Sequence, residues 1–474
     1  MSSFVDNPSR MQQRTILWFW LPLFASWLLM TAEGPIVSAA INRLPDEVIM
    51  LAAQGIVVSL AVTIESPVMN LLATATALVR DRQSYLQVRR FTLHLAILLT
   101  IISALFAFTP LFDLVVIHWM DTPLAVAVWV QPGLQIMTLW SAAIAWRRFL
   151  QGVLIHFGYT KFVAWGTVAR LLSSGGTAIG LAVWTSLSGV IIGALALMAG
   201  VIVEALIITV AVAPLHRNEL AERSAGDESH RPLTYRKLFW FHLPLAGTSV
   251  LTLLAHPLVT FSLARLDNPT RSLAAWPLVF QLILMARAGA MALPEAVIAL
   301  TQRPESFRPI RRFSLTLAAI SAGGMILLVF TPLLPFYLDG IQDAEPSVAS
   351  LAAYGTRLFL VFPALFVMVS WLRGLLIGRH STKAVNVGMA INLVITAVIL
   401  GVGVGLRYHG LTTAAVALNV AIAIELLYLL WRTQRVLNAG PIFGSVREWA
   451  PATVGGRMRS RKSQAFHGRH EEIR

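Results

Sequence analysis

Five ionisable residues interrupt long apolar stretches of this 474-residue chain: Glu33, Glu65, His256, Arg287 and Glu295. A charged side chain at the centre of a membrane helix costs about 2.5 to 3.5 kcal/mol on insertion scales, so each one calls for a partner or a purpose. A carboxylate can bind a proton or a sodium ion, whereas a guanidinium beside an imidazole attracts an anion. We interpret these five residues as candidates for binding a solute or a coupling ion.

Four further charged residues form a second set of candidates. Arg170 and Arg357 lie deep in apolar segments, where either could line a path for a solute. Glu204 and Glu425 lie at corresponding places in the two halves of the chain, which favours a helix-packing role common to both. Three more arginines fall late in apolar segments and are expected to reach the lipid phosphates: Arg147, Arg148 and Arg373.

Motifs for enzymatic chemistry are absent from the sequence. We find no phosphate-binding loop, no zinc-binding His-Glu-x-x-His, no Asp-rich magnesium motif and no Gly-rich dinucleotide turn. The chain also has no cysteine, which excludes disulfides and thiolate metal sites. We therefore expect neither an enzyme nor a bound metal or cofactor. Any uphill transport would be secondary, coupled to a proton, a sodium ion or a counter-substrate.

The composition is that of a membrane protein. Hydrophobic residues make up 57% of the chain and charged residues 13%, with a mean hydropathy of +0.71. Since about 20 apolar residues cross a bilayer, this length predicts an all-α polytopic protein of about twelve transmembrane helices. The predicted spans are 16–41, 48–79, 91–118, 125–155, 162–186, 189–215, 238–263, 272–300, 313–337, 348–377, 384–406 and 409–431.

The net charge of +14 is explained by topology rather than by nucleic acid binding. Lys and Arg are concentrated in alternate loops and in the tail, and by the positive-inside rule this places both termini in the cytoplasm. The other side has few basic residues: Arg43, Arg265, Arg271 and Arg407. The first apolar segment is too long for a signal sequence and is expected to remain as the first helix of a protein of the inner (plasma) membrane.

Short motifs recur at a constant offset of 222 residues. These are Leu21-Pro22-Leu23 with Leu243-Pro244-Leu245, Arg89-Arg90-Phe91 with Arg311-Arg312-Phe313, Phe108 to Leu111 with Phe330 to Leu333, and Gly152 to Ile155 with Gly374 to Ile377. An offset that spans six helices predicts two parallel six-helix bundles around a central cavity. The predicted domains are 1–215, a cytoplasmic linker 216–237, 238–432 and a basic cytoplasmic tail 433–474.

The repeat places Glu65 and Arg287 at equivalent positions with opposite charges. We expect either a salt bridge between the two halves or a pair of binding groups. Internal prolines in several predicted helices, Pro22, Pro67 and Pro244 among them, indicate kinks that would allow gating.

This architecture resembles the multidrug/oligosaccharidyl-lipid/polysaccharide (MOP) exporter superfamily, which contains the multidrug and toxic compound extrusion (MATE) transporters. Particular residues resemble its progressive ankylosis (ANKH) branch: Pro22 to Glu33, Met50 to Gly55, Ser59-Leu60, Pro67, Arg80-Asp81-Arg82, His409-Gly410 and Glu425. The resemblance implies a transporter that exports small anions of the ATP, pyrophosphate and citrate kind. Arg287 and His256 would attract the anion, and Glu33, Glu65 and Glu295 would set local charge or bind a coupling proton or sodium ion.

Other functions remain open from the sequence. A MATE-like cation or drug antiporter would use the glutamates to bind its cation, and a flippase would move a lipid-linked saccharide. A scaffold or receptor would depend on the basic tail from Arg447 to Arg474. The expected partners are the lipid bilayer and a small, anionic solute, with the protein acting as a monomer and without nucleic acid.

Overall fold

The computed structural model describes residues 12–217, 233–301, 306–379 and 381–437. Most of the predicted linker and of the predicted tail lies outside these ranges. The basic residues Arg10, Arg223, Arg231 and Arg303, and the tail from Arg447 to Arg474, are likewise outside the described residues.

The N half consists of eight helical segments that make six units. They are α1 (Gln13–Ile41), α2 (Glu47–Glu65) with α3 (Leu71–Leu78), α4 (Arg82–Phe108), α5 (Leu124–Ile136) with α6 (Trp140–His156), α7 (Thr160–Trp184) and α8 (Gly189–Arg217).

The C half repeats this order. Its segments are α9 (Tyr235–Leu253) with α10 (Ala255–Ala264), α11 (Pro269–Ala286) with α12 (Ala288–Leu300), α13 (Phe307–Phe330), α14 (Pro346–Arg357) with α15 (Phe362–Gly378), α16 (Thr382–Gly405) and α17 (Gly410–Leu437).

Most of these units are long and apolar enough to cross a membrane. Within the described residues ten helices meet that condition, and α14 with α15, bent by 49°, makes an eleventh. The remaining unit, α7, is 25 residues long but less apolar, since it carries Lys161 and Arg170. The predicted all-α, multi-pass membrane fold of about twelve helices is therefore confirmed.

Two helices begin earlier than predicted. The N-cap of α4 is Asp81, whose side chain accepts from the Ser84 backbone in a capping box, so Arg89 and Arg90 lie in the helix rather than in a loop. Its counterpart α13 begins at Phe307, six residues before the predicted start. Hydropathy locates the apolar centre of a span, but hydrogen bonding at the cap decides where the helix starts.

The backbone repeats the sequence offset of 222 residues in its irregular parts. Helical units two and eight break at Glu65 and at Arg287, and π-helical turns occur at Asp113–Trp119 and Phe336–Ile341. Non-glycine residues with positive φ occur in matching pairs, Asp46 with Asn268 and Asp121 with Asp343. The two halves are thus copies of one six-helix bundle.

Prolines mark only some of the breaks. Pro67 lies in the 3₁₀ turn that separates α2 from α3, and Pro363 begins the helix after the bend at Leu358. Pro22 and Pro35 lie within α1, which nevertheless runs without interruption. A proline therefore identifies a weak point in a helix, and packing decides whether the helix breaks there.

The repeated glycines allow close helix packing inside each half. A Cβ on Gly152 of α6 would lie 2.4 Å from the carbonyl oxygen of Leu72 in α3. At the equivalent place a Cβ on Gly374 of α15 would lie 3.0 Å from Cα of Pro294 in α12. Only glycine permits these approaches, which explains why the motif recurs.

We call the side on which α1 begins the inner side and the opposite one the outer side. At the inner side Gln13 donates to the carbonyl of Pro309, 2.8 Å away, so the first helix of the N half meets the C half there. At the outer side Arg43 lies 3.9 Å from Asp343. The bundles therefore stand the same way up, as predicted, although the assignment of the inner side to the cytoplasm stays a prediction.

The seam between the halves is fastened symmetrically. Nε1 of Trp20 donates to the carbonyl of Gly289 at 2.9 Å, and Nε2 of His242 donates to the carbonyl of Pro67 at 3.0 Å. Trp20 and His242 are repeat equivalents, as are Gly289 and Pro67. Closer to the outer side, a Cβ on Gly55 would lie 2.8 Å from Cγ of its own repeat equivalent, Pro277, so these two residues meet at the pseudo-twofold axis.

Candidate substrate and ion site

Glu33 is neutralised by an arginine of its own half. Its buried carboxylate accepts two hydrogen bonds from Arg170 of α7, at 2.5 and 3.1 Å. A bidentate ion pair of this kind fixes both side chains and ties α1 to α7. The structure thus gives Glu33 and Arg170 to each other rather than to open space.

Glu204 of α8 is fully buried and lies at the centre of a second group of contacts. One carboxylate oxygen accepts from Arg147 at 2.6 Å and lies 3.8 Å from Arg170, and the other accepts from Gln151 at 2.9 Å. Arg147 is only 3% exposed, because its charge is balanced within the protein. The prediction that Arg147 reaches lipid phosphates is wrong.

Glu425 occupies the same place in the C half. It pairs with Arg373 of α15, whose Nε donates at 2.9 Å, and it accepts from Asn392 of α16 at 2.9 Å. Arg373 is therefore also a partner of a buried carboxylate and not a lipid-facing arginine, as had been predicted. Both glutamates join helices of their own half, which supports the packing role that their duplication suggested.

Glu65 differs from the other buried glutamates. Its side chain is buried at the break between α2 and α3, and its Oε2 has no hydrogen bond within the described part of the chain. The charges of Arg147, Arg170 and Arg148 act on it electrostatically, but none of them forms a salt bridge with it there.

Arg287 lies at the equivalent break in the C half, between two aromatic rings. Its Cζ is 4.9 Å from the ring centroid of Phe366 and 5.6 Å from that of Phe280, which are distances typical of cation–π contacts. Its buried Nε has no hydrogen bond, and no acidic side chain pairs with it in the described residues. Glu65 and Arg287 each stay in their own half, so the predicted salt bridge between them is absent there.

His256 and Trp276 extend the surroundings of Arg287. The His256 ring lies edge-on to Phe280, with centroids 4.4 Å apart, and Trp276 lies 5.6 Å from Phe280. Nδ1 of His256 and Nε1 of Trp276 are buried without a hydrogen-bond partner in the described chain. Three polar nitrogens therefore gather in one aromatic cluster without protein acceptors, which is uncommon for buried polar groups.

Glu295 and Arg357 lie apart from this cluster. Glu295 is exposed on α12, two turns beyond Arg287. Arg357 is exposed at the end of α14 and borders a surface groove of about 640 Å³ lined mainly by 329–335. The structure thus brings together His256 and Arg287, while Glu33, Glu65 and Glu204 with Arg170 form a separate group in the N half.

Comparisons with known proteins follow from this geometry. No protein-family model and no curated protein matches the chain. Among solved structures, the inward-facing conformation of a multidrug resistance MATE family transporter of the MOP superfamily matches with a TM-score of 0.67 and 13% identity, over 87% of this chain and 95% of that one. The inward closed conformation of the lipid II flippase MurJ matches with a TM-score of 0.69 and 13% identity, over 87% of each chain.

This chain has the MOP transporter fold. A MOP superfamily transporter from Pyrococcus furiosus, described as having a binding pocket of reverse polarity, also matches, with a TM-score of 0.59, 13% identity and coverage of 90% of this chain and 96% of that one. The predicted superfamily fold is confirmed. The closer resemblance to the progressive ankylosis branch stays a prediction, because identities this low speak for the fold alone.

Sequence reasoning missed several partners within this MOP fold. Gln151 and Arg373 are repeat equivalents, and so are Arg170 and Asn392, so each buried glutamate is held by one arginine and one amide on exchanged helices. The 222-residue register contained that signal. No comparable signal marked Trp276, Phe280 and Phe366, because aromatic residues in an apolar chain are common.

Proposed function

We propose that this protein is a secondary transporter that exports a small organic or inorganic anion by alternating access between its two halves. The ATP, pyrophosphate and citrate class, which the family resemblance implies, is the starting panel of substrates. The membrane fold supports a carrier, and the site chemistry supports an anion.

The observation that carries the proposal is the unpaired guanidinium of Arg287. Removing a charge from water without a partner costs several kcal/mol, and the cation–π contacts with Phe280 and Phe366 return only part of this. An anionic solute would supply the missing charge. The other buried arginines with resolved partners, Arg147, Arg170 and Arg373, already pair with glutamates.

Coupling is assigned by the same reasoning. Glu33 and Glu204 are held by arginines, which leaves Glu65 as the buried carboxylate of the N half without a salt bridge in the described chain. We assign the coupling proton or sodium ion to Glu65. Glu295, which is exposed, is the second choice.

A cation or drug antiporter is the alternative that a specific observation favours. The carboxylates of Glu65 and Glu295 lack acidic or basic partners in the described residues, and either would attract a cation. The likeness to a lipid II flippase keeps a lipid-linked saccharide as a further alternative. In each of these, Arg287 would have no direct role with a cationic substrate.

The test uses the purified full chain in liposomes, with radiolabelled citrate, pyrophosphate and ATP on one side and a cationic dye in parallel. Arg287→Ala is expected to abolish anion flux, and Arg287→Lys to retain part of it because the charge remains. Arg308→Ala, an exposed arginine at the start of α13, serves as the matched control.

Unchanged anion flux in Arg287→Ala would remove this residue from the proposal. Flux of the dye alone, sensitive to Glu65→Gln, would establish the antiporter instead. Equal amounts of inserted, monodisperse protein must be confirmed for each variant, since only then does a loss of flux report on transport.

A further inference from the structure

The buried charges of the two halves do not balance in the same way. In the N half three arginines, Arg147, Arg148 and Arg170, accompany three glutamates, Glu33, Glu65 and Glu204. In the C half two arginines, Arg287 and Arg373, accompany the single buried glutamate Glu425. Glu295 is exposed and is not counted. The described membrane interior therefore carries one positive charge in excess, and it belongs to Arg287.

The surroundings of that charge are aromatic rather than polar. From Phe280 a chain of ring contacts runs through Trp276 and Phe359 to Phe362 and Phe366, with centroid distances of 5.6, 6.3, 5.5 and 6.3 Å, and Arg287 lies against both ends. A guanidinium enclosed in this way can meet a negatively charged group on its edge while the rings face a flat apolar body.

The hydrogen-bonding groups of the cluster are few. Nε of Arg287 and Nε1 of Trp276 are donors without acceptors in the described chain, and Nδ1 of His256 is unpartnered there as well. Two or three donors fit the oxygens of one carboxylate or one sulfonate. A solute with three separated negative charges would leave two of them among phenyl rings without counter-charges, which is strongly unfavourable.

We infer that the Arg287 site takes an organic anion with a single negative charge and a flat aromatic ring, not a polyanion. This inference rests on the proposed anion transport and narrows its substrate class. The charge pairs with Arg287, the oxygens accept from Trp276 and Arg287, and the ring stacks on Phe280 and Phe366.

Aromatic sulfonates are suitable probes, because they stay ionised and cross lipid slowly without a carrier. Uptake of radiolabelled benzenesulfonate into liposomes that contain the full chain is compared with cyclohexanesulfonate, which has the same charge but no aromatic ring. Benzene-1,3,5-trisulfonate keeps the ring and carries three charges. We expect benzenesulfonate to be preferred over cyclohexanesulfonate about fivefold, the magnitude of one aromatic contact, and the trisulfonate not to be transported.

Variants separate the two features. Phe280→Leu with Phe366→Leu should remove the preference for the aromatic probe while cyclohexanesulfonate is still transported, and Arg287→Ala should abolish uptake of both. Phe330→Leu, at an aromatic side chain that is 73% exposed on the outer end of α13, is the matched control. If the double variant does not insert, Phe366→Leu alone gives the same comparison.

The outcomes are distinguishable. Uptake of citrate, pyrophosphate or the trisulfonate at rates equal to benzenesulfonate would overturn the single-charge inference and leave anion transport standing. Equal uptake of the aromatic and the cyclohexyl probe would overturn the aromatic part. Transport of the cationic dye with no anion uptake would overturn both the inference and the proposed function.

Discussion

Arg43 and Arg265 are repeat equivalents, and each reaches across the seam to the end of the π-helical turn in the opposite half. Nη2 of Arg43 donates to the carbonyl of Ile341 at 3.0 Å, and Nη2 of Arg265 donates to the carbonyl of Trp119. Trp119 and Ile341 are themselves separated by the repeat offset of 222 residues. The outer side is thus closed by two copies of one contact, related by the pseudo-twofold axis that passes near Gly55 and Pro277.

These two contacts explain arginines on a side that is otherwise poor in basic residues. A π-helical turn leaves carbonyls at its end without a partner in the same helix, and a charged donor from the other bundle satisfies them. Any conformation that opens the seam toward the outer side must break both contacts. We call the pair Arg43 and Arg265 the outer latch.

The first prediction concerns the outer latch. Arg43→Ala with Arg265→Ala should increase opening toward the outer side, because each lost hydrogen bond contributes about 1 kcal/mol, or about a fivefold change. Since the chain has no native cysteine, Ser38→Cys provides a clean probe. Ser38 is buried at the seam, where its hydroxyl accepts from Gln281 at 2.8 Å. Its labelling by an impermeant maleimide should be faster in the double variant.

Two controls accompany this measurement. Arg271→Ala removes an exposed arginine of the same side that makes no contact across the seam. Ser186→Cys, which is exposed between α7 and α8, should label equally in every background. Unchanged labelling at Ser38→Cys in the double variant would mean that the two arginines do not hold the outer side closed.

Much of this fold was readable from the sequence, because the repeat and the apolar spans are properties of the chain itself. The matched motifs predicted the equivalence of Gly152 and Gly374, and the structure places both at the same close helix contact. The single deletion between Gly189 and Gly410 is also accommodated, since the first contacts Ile41 and Met50 and the second contacts their equivalents Leu263 and Ser272.

The partners of the buried charges were less predictable. Equivalence by repeat was taken to mean proximity for Glu65 and Arg287, but a pseudo-twofold axis brings equivalent residues together only when they lie on it, as Gly55 and Pro277 do. Arg147 was expected at the lipid surface from its place late in a span. Depth along a helix does not reveal which face a residue occupies, and Arg147 is on the face toward Glu204.

The second prediction concerns the pair in the C half. Glu425→Leu should lower the thermal stability of the purified protein by roughly 3 to 5 kcal/mol, because Arg373 is left buried without a counter-charge. Replacing both with leucine should recover most of the loss. Glu295→Gln, at an exposed carboxylate, should have little effect on stability. Equal stability of Glu425→Leu and the parent protein in a thermal-shift assay would show that this ion pair does not support the fold.

The third prediction concerns the inner part of the seam. Trp20→Phe removes the hydrogen bond to Gly289 but keeps the ring that stacks on Phe24 and meets Phe313 edge-on. We expect α1 to separate from α12 about five times more often, the effect of one buried hydrogen bond. In inside-out vesicles, Ala290→Cys should then react faster with an impermeant maleimide.

Trp18→Phe is the matched control for that experiment. Its ring is 61% exposed on the same helix, and no hydrogen bond of Trp18 to the C half occurs in the described structure. Faster labelling in Trp18→Phe as well would attribute the change to general loosening of α1. Labelling that stays at the parent rate in Trp20→Phe would show that the Gly289 contact is not a seam fastener.

The last prediction concerns coupling at Glu65. Glu65→Gln keeps the size of the side chain but removes its charge, so the coupling ion assigned to this carboxylate would no longer bind. Accumulation of substrate against its gradient, driven by an imposed proton or sodium gradient in liposomes, should be lost. Exchange of labelled for unlabelled substrate without a gradient should persist, because Arg287 and its aromatic cluster are unchanged. Glu33→Gln is the comparison, since it frees Arg170 from a bidentate ion pair and should reduce insertion and exchange together. Accumulation at the parent rate in Glu65→Gln would transfer the coupling role to Glu295.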